Sequence, residues 1–242
     1  MKRFLTFIAL GLMLTTSLLT PLTSAHSSKV PVDPGTTTPE EVNEYLTNKC
    51  NDHLPFRDVD KDDWYQNAVC NLYRINAIDK ADYYYPNHYM TRMEFLKLLM
   101  ESEGIEPRHI SGLGFKDMNS SHWAYQYALV ALDMEIMVGW DGFIRPNDYI
   151  TRAEALVTME RLHNQERWGW DQSDIPFWDV DAKNDAWYAW AAILGYEQGL
   201  IKGYEDGSFR GENAITRAEG AEVTTISAQI WPNRRYTAQF AN

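Results

Sequence analysis

The stretch Ile150-Thr151-Arg152-Ala153-Glu154 returns as Ile215-Thr216-Arg217-Ala218-Glu219, and in variant form as Met90-Thr91-Arg92-Met93-Glu94. In each copy a threonine stands three residues ahead of a glutamate, at the head of an apolar helical run. That spacing predicts a capping box: the Thr hydroxyl accepts from the third helical amide, and the Glu carboxylate accepts from the Thr amide. Helix physics accounts for the Thr and the Glu but not for the arginine. A cation in the first turn opposes the helix dipole by roughly 0.3–1 kcal/mol. Three arginines in register therefore point to a second task. One is an internal ion pair, for instance to Asp58, Asp117 or Asp179. The other is an anionic ligand, held by a planar guanidinium beside a helix N-terminus. The two are compatible, with an aspartate orienting the arginine that meets the ligand.

Outward from the boxes the chain repeats. Each unit starts with Phe56-Arg57-Asp58, Phe115-Lys116-Asp117 or Phe177-Trp178-Asp179. A tryptophan follows eight to ten residues later (Trp64, Trp123, Trp187), and the box threonine comes 27 to 29 residues after it. Agreement of period and internal spacing marks a repeat architecture, in which one unit cannot bury its apolar face alone. Two helices are expected per unit. The first begins near the Trp, with Asp63, His122 or Asp185 as cap. Its apolar face is Trp64, Ala68, Leu72 and Ile75 in copy 1, and Trp187, Ala191, Ile193 and Leu194 in copy 3, spaced for a helix rather than a strand. Trp64, Trp123 and Trp187 could stack on sugar rings, but helical register with core positions predicts that they are buried. A turn with Gly139 and Asp141-Gly142, or Gly203 and Asp206-Gly207, leads into the box helix. Copy 1 has Asp79-Lys80-Ala81-Asp82 there, without glycine.

Ahead of the repeats, Lys2 and Arg3 precede a mostly apolar run from Phe4 to Leu19 and small residues at Thr23-Ser24-Ala25. This reads as a secretory signal peptide, with no membrane insertion of the remaining chain. Residues 26–37 read as a linker. Thr38-Pro39-Glu40-Glu41 starts a short helix running to about Lys49. The expected divisions are a signal peptide (1–25), a linker and lead helix (26–53), repeats at 54–110 (divergent), 111–173 and 174–230, and a tail (231–242). The only cysteines, Cys50 and Cys70, are expected to form a structural disulfide in an exported protein.

Together the Phe-x-Asp start, the Trp-led helix, the glycine turn and the ITRAE box resemble the S-layer homology domain family, over residues 54–230. The resemblance implies an all-α fold: three tandem helix-turn-helix repeats in a pseudo-threefold assembly around a central helix bundle. It implies non-covalent docking of an exported protein at the cell envelope, secreted and associated with the bacterial cell wall or S-layer. Grooves between repeats would bind cell-wall polysaccharide or a peptidoglycan-linked polymer, commonly through a negatively charged pyruvylated sugar. The ligand-binding residues so implied are Arg92, Arg152 and Arg217, supported by Asp58, Asp117 and Asp179 and by backbone at Gly139 and Gly203. Arg152 and Arg217 belong to repeats with intact glycine turns and rank ahead of Arg92. Trp140 and Tyr204, next to the turn glycines, are the aromatic candidates for sugar contact.

Other function classes fit poorly. The formal net charge is −12, and residues 1–25 carry two basic and no acidic side chains, so the remainder is more acidic still. That argues against nucleic acid, whose affinity rests on cationic neutralisation of phosphates, and against anionic membrane surfaces. A calcium loop starting at Asp58 would need glycine sixth and glutamate twelfth, where Asp63 and Val69 stand. No catalytic, cofactor or metal set is evident: Gly-x-Ser-x-Gly and His-Glu-x-x-His are absent from the sequence. The expectation is a non-catalytic anchoring module. The alternative is an exported protein-interaction scaffold or S-layer assembly adaptor with partly lost glycan sites. Little chain lies outside the repeats, so an adaptor, an assembly component or an anchor for non-covalently held cargo is expected, with an S-layer or other exported protein as partner.

Overall fold

The computed structural model describes residues 54–111, 114–165 and 168–230. The expected signal peptide, lead helix and tail, and Cys50, lie outside them. Six α-helices occur among the described residues, two per repeat: α1 (Gln66–Arg74), α2 (Arg92–Ser102), α3 (Tyr125–Asp133), α4 (Arg152–Leu162), α5 (Ala186–Glu197) and α6 (Arg217–Ile230). One 3-10 turn, Gln172–Asp174, lies between α4 and α5. The fold is all-α, as the repeat pattern predicts.

The box helices α2, α4 and α6 start at their arginines. The Thr91, Thr151 and Thr216 hydroxyls accept from the amides of Glu94, Glu154 and Glu219 at 3.3, 3.2 and 3.2 Å. Each glutamate accepts from its threonine amide in return, at 2.7, 3.1 and 2.8 Å. The other three helices start differently. No side-chain cap is made at Tyr65, Ala124 or Asp185, so the expected capping by Asp63 and Asp185 does not occur, whereas His122 Nδ1 accepts from the Ala124 amide ahead of α3 at 3.2 Å. Their C-termini are alike. Asn76, Glu135 and Gly199 take left-handed backbone, and the next amide returns to Leu72, Ala131 or Gly195 oxygen at 2.9, 2.8 and 2.8 Å, a Schellman closure.

Helix pairing is offset from the sequence repeat. Each box helix packs on the first helix of the next unit (α2 on α3, α4 on α5), and α6 returns to α1, with α2 and α6 also in contact. Backbone hydrogen bonds close the same circle. The Met90 amide donates to Ile215 oxygen, Ile215 to Ile150 and Ile150 to Met90, at 3.0, 3.1 and 3.0 Å. One step along, the amides of Arg92, Arg152 and Arg217 donate to the carbonyls of Asp148, Asn213 and His88 at 2.9, 2.9 and 2.8 Å. These are first-turn amides with no partner inside their own helix, so each repeat caps its neighbour. The result is a pseudo-threefold ring.

The core follows the helical pattern at Phe95, Leu98 and Leu99, and at Leu156, Met159 and Leu162. α6 departs from it. Its fully covered face is small or hydroxylic (Ala218, Gly220, Ala221, Thr224, Ser227), while Val223 and Ile226 are only partly buried. Space decides this, because a Cβ on Gly220 would collide with the Met90 sulfur. The expected burial of Trp64, Trp123 and Trp187 does not hold, since they are 62%, 55% and 47% exposed. α1 and α3 begin two residues after their tryptophan, so those indoles sit ahead of the helical face and out of its register.

Candidate functional site

The start-motif aspartates act on backbone. Asp117 accepts from the Ile144 and Arg145 amides at 3.0 and 2.7 Å, and Asp179 from Phe209 and Arg210 at 2.7 Å each. Asp58 accepts from Tyr84 and Tyr85 at 2.7 and 2.8 Å. In each pair the second residue is left-handed (Tyr85, Arg145 and Arg210, φ 59°, 55° and 56°). Two successive amides then converge into a nest that the carboxylate fills. The nest fixes the carbonyl of the preceding residue, and that carbonyl receives an arginine from the neighbouring repeat. Arg92 Nε donates to Ile144 oxygen at 2.9 Å, Arg152 Nε to Phe209 oxygen at 3.0 Å and Arg217 Nε to Tyr84 oxygen at 2.7 Å. Each aspartate thus positions a box arginine through the turn backbone rather than by an ion pair.

The crossing sets new partners. Arg92 faces the turn holding Gly139 and Trp140, Arg152 faces the turn holding Gly203 and Tyr204, and Arg217 faces the glycine-free turn of repeat 1. Ranking by each arginine's own repeat therefore does not describe the grooves. Gly139 and Gly203 are left-handed (φ +70° and +73°), and a Cβ would meet the Phe143 carbonyl in one and lie 2.5 Å from the Phe177 ring in the other. Trp140 is 85% exposed. Tyr204 lies between two guanidiniums, Arg210 at 3.9 Å and Arg152 at 4.9 Å from its ring centre.

The grooves open in order. Arg92 is buried, its Nη1 2.7 Å from Glu154 of the next box, while Arg145 closes on the same carboxylate. Burial holds the Arg92 pKa below its ordinary value, and Glu154 pulls the other way. Arg152 makes the equivalent pair with Glu219 at 3.5 Å, its side chain 15% exposed, over a narrow crevice of about 20 Å³. Arg217 makes no ion pair with Glu94, the corresponding carboxylate, among the described residues. It lines a cleft of about 380 Å³ with Ala77 to Asp79, Tyr83, Tyr84, Glu94, Lys97 and Trp123. Its guanidinium lies 4.7 Å from the Tyr84 ring, whose hydroxyl donates to Arg217 oxygen at 2.8 Å.

Arg145, Arg210 and Lys97 were not among the residues expected at the grooves, and Trp123, expected in the core, lines the Arg217 cleft instead. The first two share a register, one residue past the apolar turn residue, and that signal is visible in the sequence. Among the described residues no cluster of three or more His, Cys, Asp or Glu is placed to hold a metal ion, and no helix is long and apolar enough to cross a membrane.

The family model for the S-layer homology domain matches residues 55–96, 114–156 and 179–221, one match per repeat. The chain belongs to the S-layer homology domain family. It is 43% identical over 83 residues to "Cell surface glycoprotein 1" of Acetivibrio thermocellus, covering 34% of this chain and 4% of that protein. It is also 43% identical over 84 residues to the "Cellulosome-anchoring protein" of the same organism, 34% of this chain and 18% of that protein. An "Amylopullulanase" of Thermoanaerobacterium thermosulfurigenes is 25% identical over 171 residues, 69% of this chain and 9% of the enzyme. The chain thus spans less than a fifth of each relative's length. Two of these relatives are named for the cell surface and for anchoring. The enzyme match means that family membership alone does not exclude catalysis.

Proposed function

We propose that this chain is a non-catalytic anchor that binds an anionic cell-wall polysaccharide, of the pyruvylated type, in the grooves between its repeats. The observation that carries the reading is the graded opening of the three arginine grooves. Arg217 presents terminal nitrogens to a cleft, Arg152 is held loosely beside Tyr204, and Arg92 serves as the clamp of a closed groove. A planar guanidinium matches a carboxylate fork to fork, and a partly enclosed site strengthens that pair relative to water. On a strongly acidic protein such cations act locally, since charges beyond about 8 Å are screened at physiological salt. Asp58, Asp117 and Asp179, with Gly139 and Gly203, support the site by shaping the turns. The Cys50–Cys70 disulfide belongs to the same reading of an exported chain.

The test is co-sedimentation of the chain with purified cell walls, against Arg152→Met plus Arg217→Met. Methionine keeps the apolar stem and removes the charge. Circular dichroism checks the fold of the double variant, which is expected to stay in the supernatant. Undiminished wall binding by the folded double variant would overturn the arginine assignment, and glycosidase activity on wall fragments would overturn the non-catalytic one.

A second reading, recruitment of another exported protein, is favoured by Trp168 and Trp178, 82% and 73% exposed and outside the arginine clefts. Its signature is pull-down of an exported protein, lost in Trp168→Ala plus Trp178→Ala, with wall binding unchanged.

A further inference from the structure

The middle residue of the Phe-x-Asp start motif is held alike in every repeat. The amides of Arg57, Lys116 and Trp178 donate to the carbonyl oxygens of Asp82, Gly142 and Gly207 at 2.8, 2.8 and 3.4 Å, which ties each residue to the turn ahead of its box. In the first two repeats its side chain is a cation on a turn aspartate. Arg57 Nη2 lies 3.4 Å from Asp82, and Lys116 Nζ lies 2.9 Å from Asp141. Repeat 3 departs from this. Its turn aspartate, Asp206, takes its cation from Arg210 at 2.9 Å, and an indole stands at the motif position. Trp178 Nε1 donates to the Asp206 carbonyl oxygen at 2.9 Å, and a Cβ on Gly207 would lie 3.5 Å from Trp178 Cδ1, so the pyrrole edge rests on the turn. The indole is nevertheless 73% exposed, and it lines neither arginine cleft. Core burial does not explain a large apolar ring that is fixed in place and left in water.

We infer that Trp178 is a stacking platform for an uncharged hexose ring, a saccharide contact separate from the arginine grooves. An indole fixed along one edge is pre-organised, so little freedom is lost when a ring settles on its face. The contact is made to the C–H face of a pyranose and needs no charge on the ligand. Local charge selects against an anion. Two carboxylates, Asp179 and Asp206, surround one guanidinium: Asp179 accepts from the Phe209 and Arg210 amides, and Asp206 pairs with the Arg210 side chain. A protein partner fits this indole less well. A stable interface takes about 800 Å² from each side and surrounds its anchor with contacts that exclude water. Beside Trp178 the turn instead carries Asp206, Ser208 and Arg210, already bonded to one another.

The full chain is titrated with N-acetylchitotetraose as the uncharged probe and tetragalacturonate as the anionic one. The Trp178 indole N–H resonance is the readout, assigned by its loss in Trp178→Lys, and saturation transfer to the saccharide gives the affinities of the variants. Trp178→Lys places in repeat 3 the residue type that repeat 2 carries as Lys116, so the turn can accept it. The resonance is expected to move with N-acetylchitotetraose alone. Trp178→Lys is expected to weaken that binding about tenfold, and Arg152→Met plus Arg217→Met to leave it unchanged. A resonance that stays fixed while Trp178→Lys binds as tightly as wild type overturns the platform. If tetragalacturonate moves the resonance as far, the uncharged assignment falls. If the arginine double variant loses the response, the contact belongs to the grooves and the separate site falls. Capture of an exported protein through Trp178, with no saccharide response, assigns the indole to protein recruitment and overturns the inference as well.

Discussion

Replacing Arg92 with methionine separates the clamp from the binding site. The Arg92 side chain is 6% exposed and makes two charged contacts across the repeat boundary, Nε to Ile144 oxygen and Nη1 to Glu154. Methionine keeps the buried stem but deletes both. Removing one partner of a buried ion pair costs about 3–5 kcal/mol, because the other charge is left unpaired. Here Glu154 retains Arg145 and the Thr151 amide, which places the loss near the lower bound, about 3 kcal/mol. For a domain of this size that is a fall in melting temperature of about 6–12 °C. Arg217→Met loses one charged hydrogen bond and no ion pair, about 1.5 kcal/mol or 3–6 °C. Calorimetry gives the melting temperatures, and wall co-sedimentation below both transitions gives function. The expected result is a double dissociation: Arg92→Met is the less stable but still binds walls, and Arg217→Met is the more stable but binds poorly. An Arg92→Met protein that melts within about 2 °C of wild type, or that stays folded and loses wall binding while Arg217→Met keeps it, refutes the assignment.

Glu160 is buried on α4 with neither carboxyl oxygen hydrogen-bonded, and burial pushes its pKa from 4.5 to about 8. The folded state therefore favours the protonated acid, so this contribution to stability is complete below about pH 4.5 and is lost as pH rises through about 8. Glu160→Gln should remove about 3 kcal/mol of that decline by pH 7, read from urea midpoints between pH 5 and 9, whereas profiles parallel to wild type refute it. Glu103, raised to about 8 by the same cause, leaves a residual slope of the same sign. Gly203→Ala puts a Cβ 2.5 Å from the Phe177 ring at φ +73° and should cost about 1–3 kcal/mol and weaken wall binding as Tyr204 shifts; unchanged melting contradicts it. For Cys50 and Cys70, thiol labelling in denaturant should find no thiols until reductant is added, and reduction should cost about 3 kcal/mol. Two thiols labelled without reductant contradict the disulfide.

Local structure was legible because it is written in local spacing. A threonine three residues before a glutamate specifies its capping box wherever the helix lies, and all three boxes form. A left-handed turn needs glycine where a Cβ would strike backbone, and Gly139 stands at such a point. The partner of each arginine was not legible, because ring closure decides it. In the chain Arg217 lies 14 residues beyond Gly203, yet its side chain rests on Tyr84, 133 residues away. Trp64 and Trp123 misled for a related reason. Spacing of three and four says which residues share a face, but not where the helix starts, and a two-residue shift carries an indole from core to solvent.

The offset between sequence repeat and groove also explains why three units act as one. A groove needs the box of one repeat and the turn of the next, so the third box has a partner only if α6 returns to α1. Opening the ring between α6 and α1 would strip the Arg217 cleft of its floor, while the other two grooves would keep both their walls. The open groove is therefore the one formed by closure. A ligand in it makes contact with both ends of the repeat array, and its binding stabilises the closed ring by RT ln(1 + [L]/Kd), about 2.7 kcal/mol at a hundredfold excess over Kd. On the anchoring reading, attachment to the wall and resistance to unfolding are the same free energy. Ligand-dependent stabilisation should then disappear in Arg217→Met and persist in Arg92→Met.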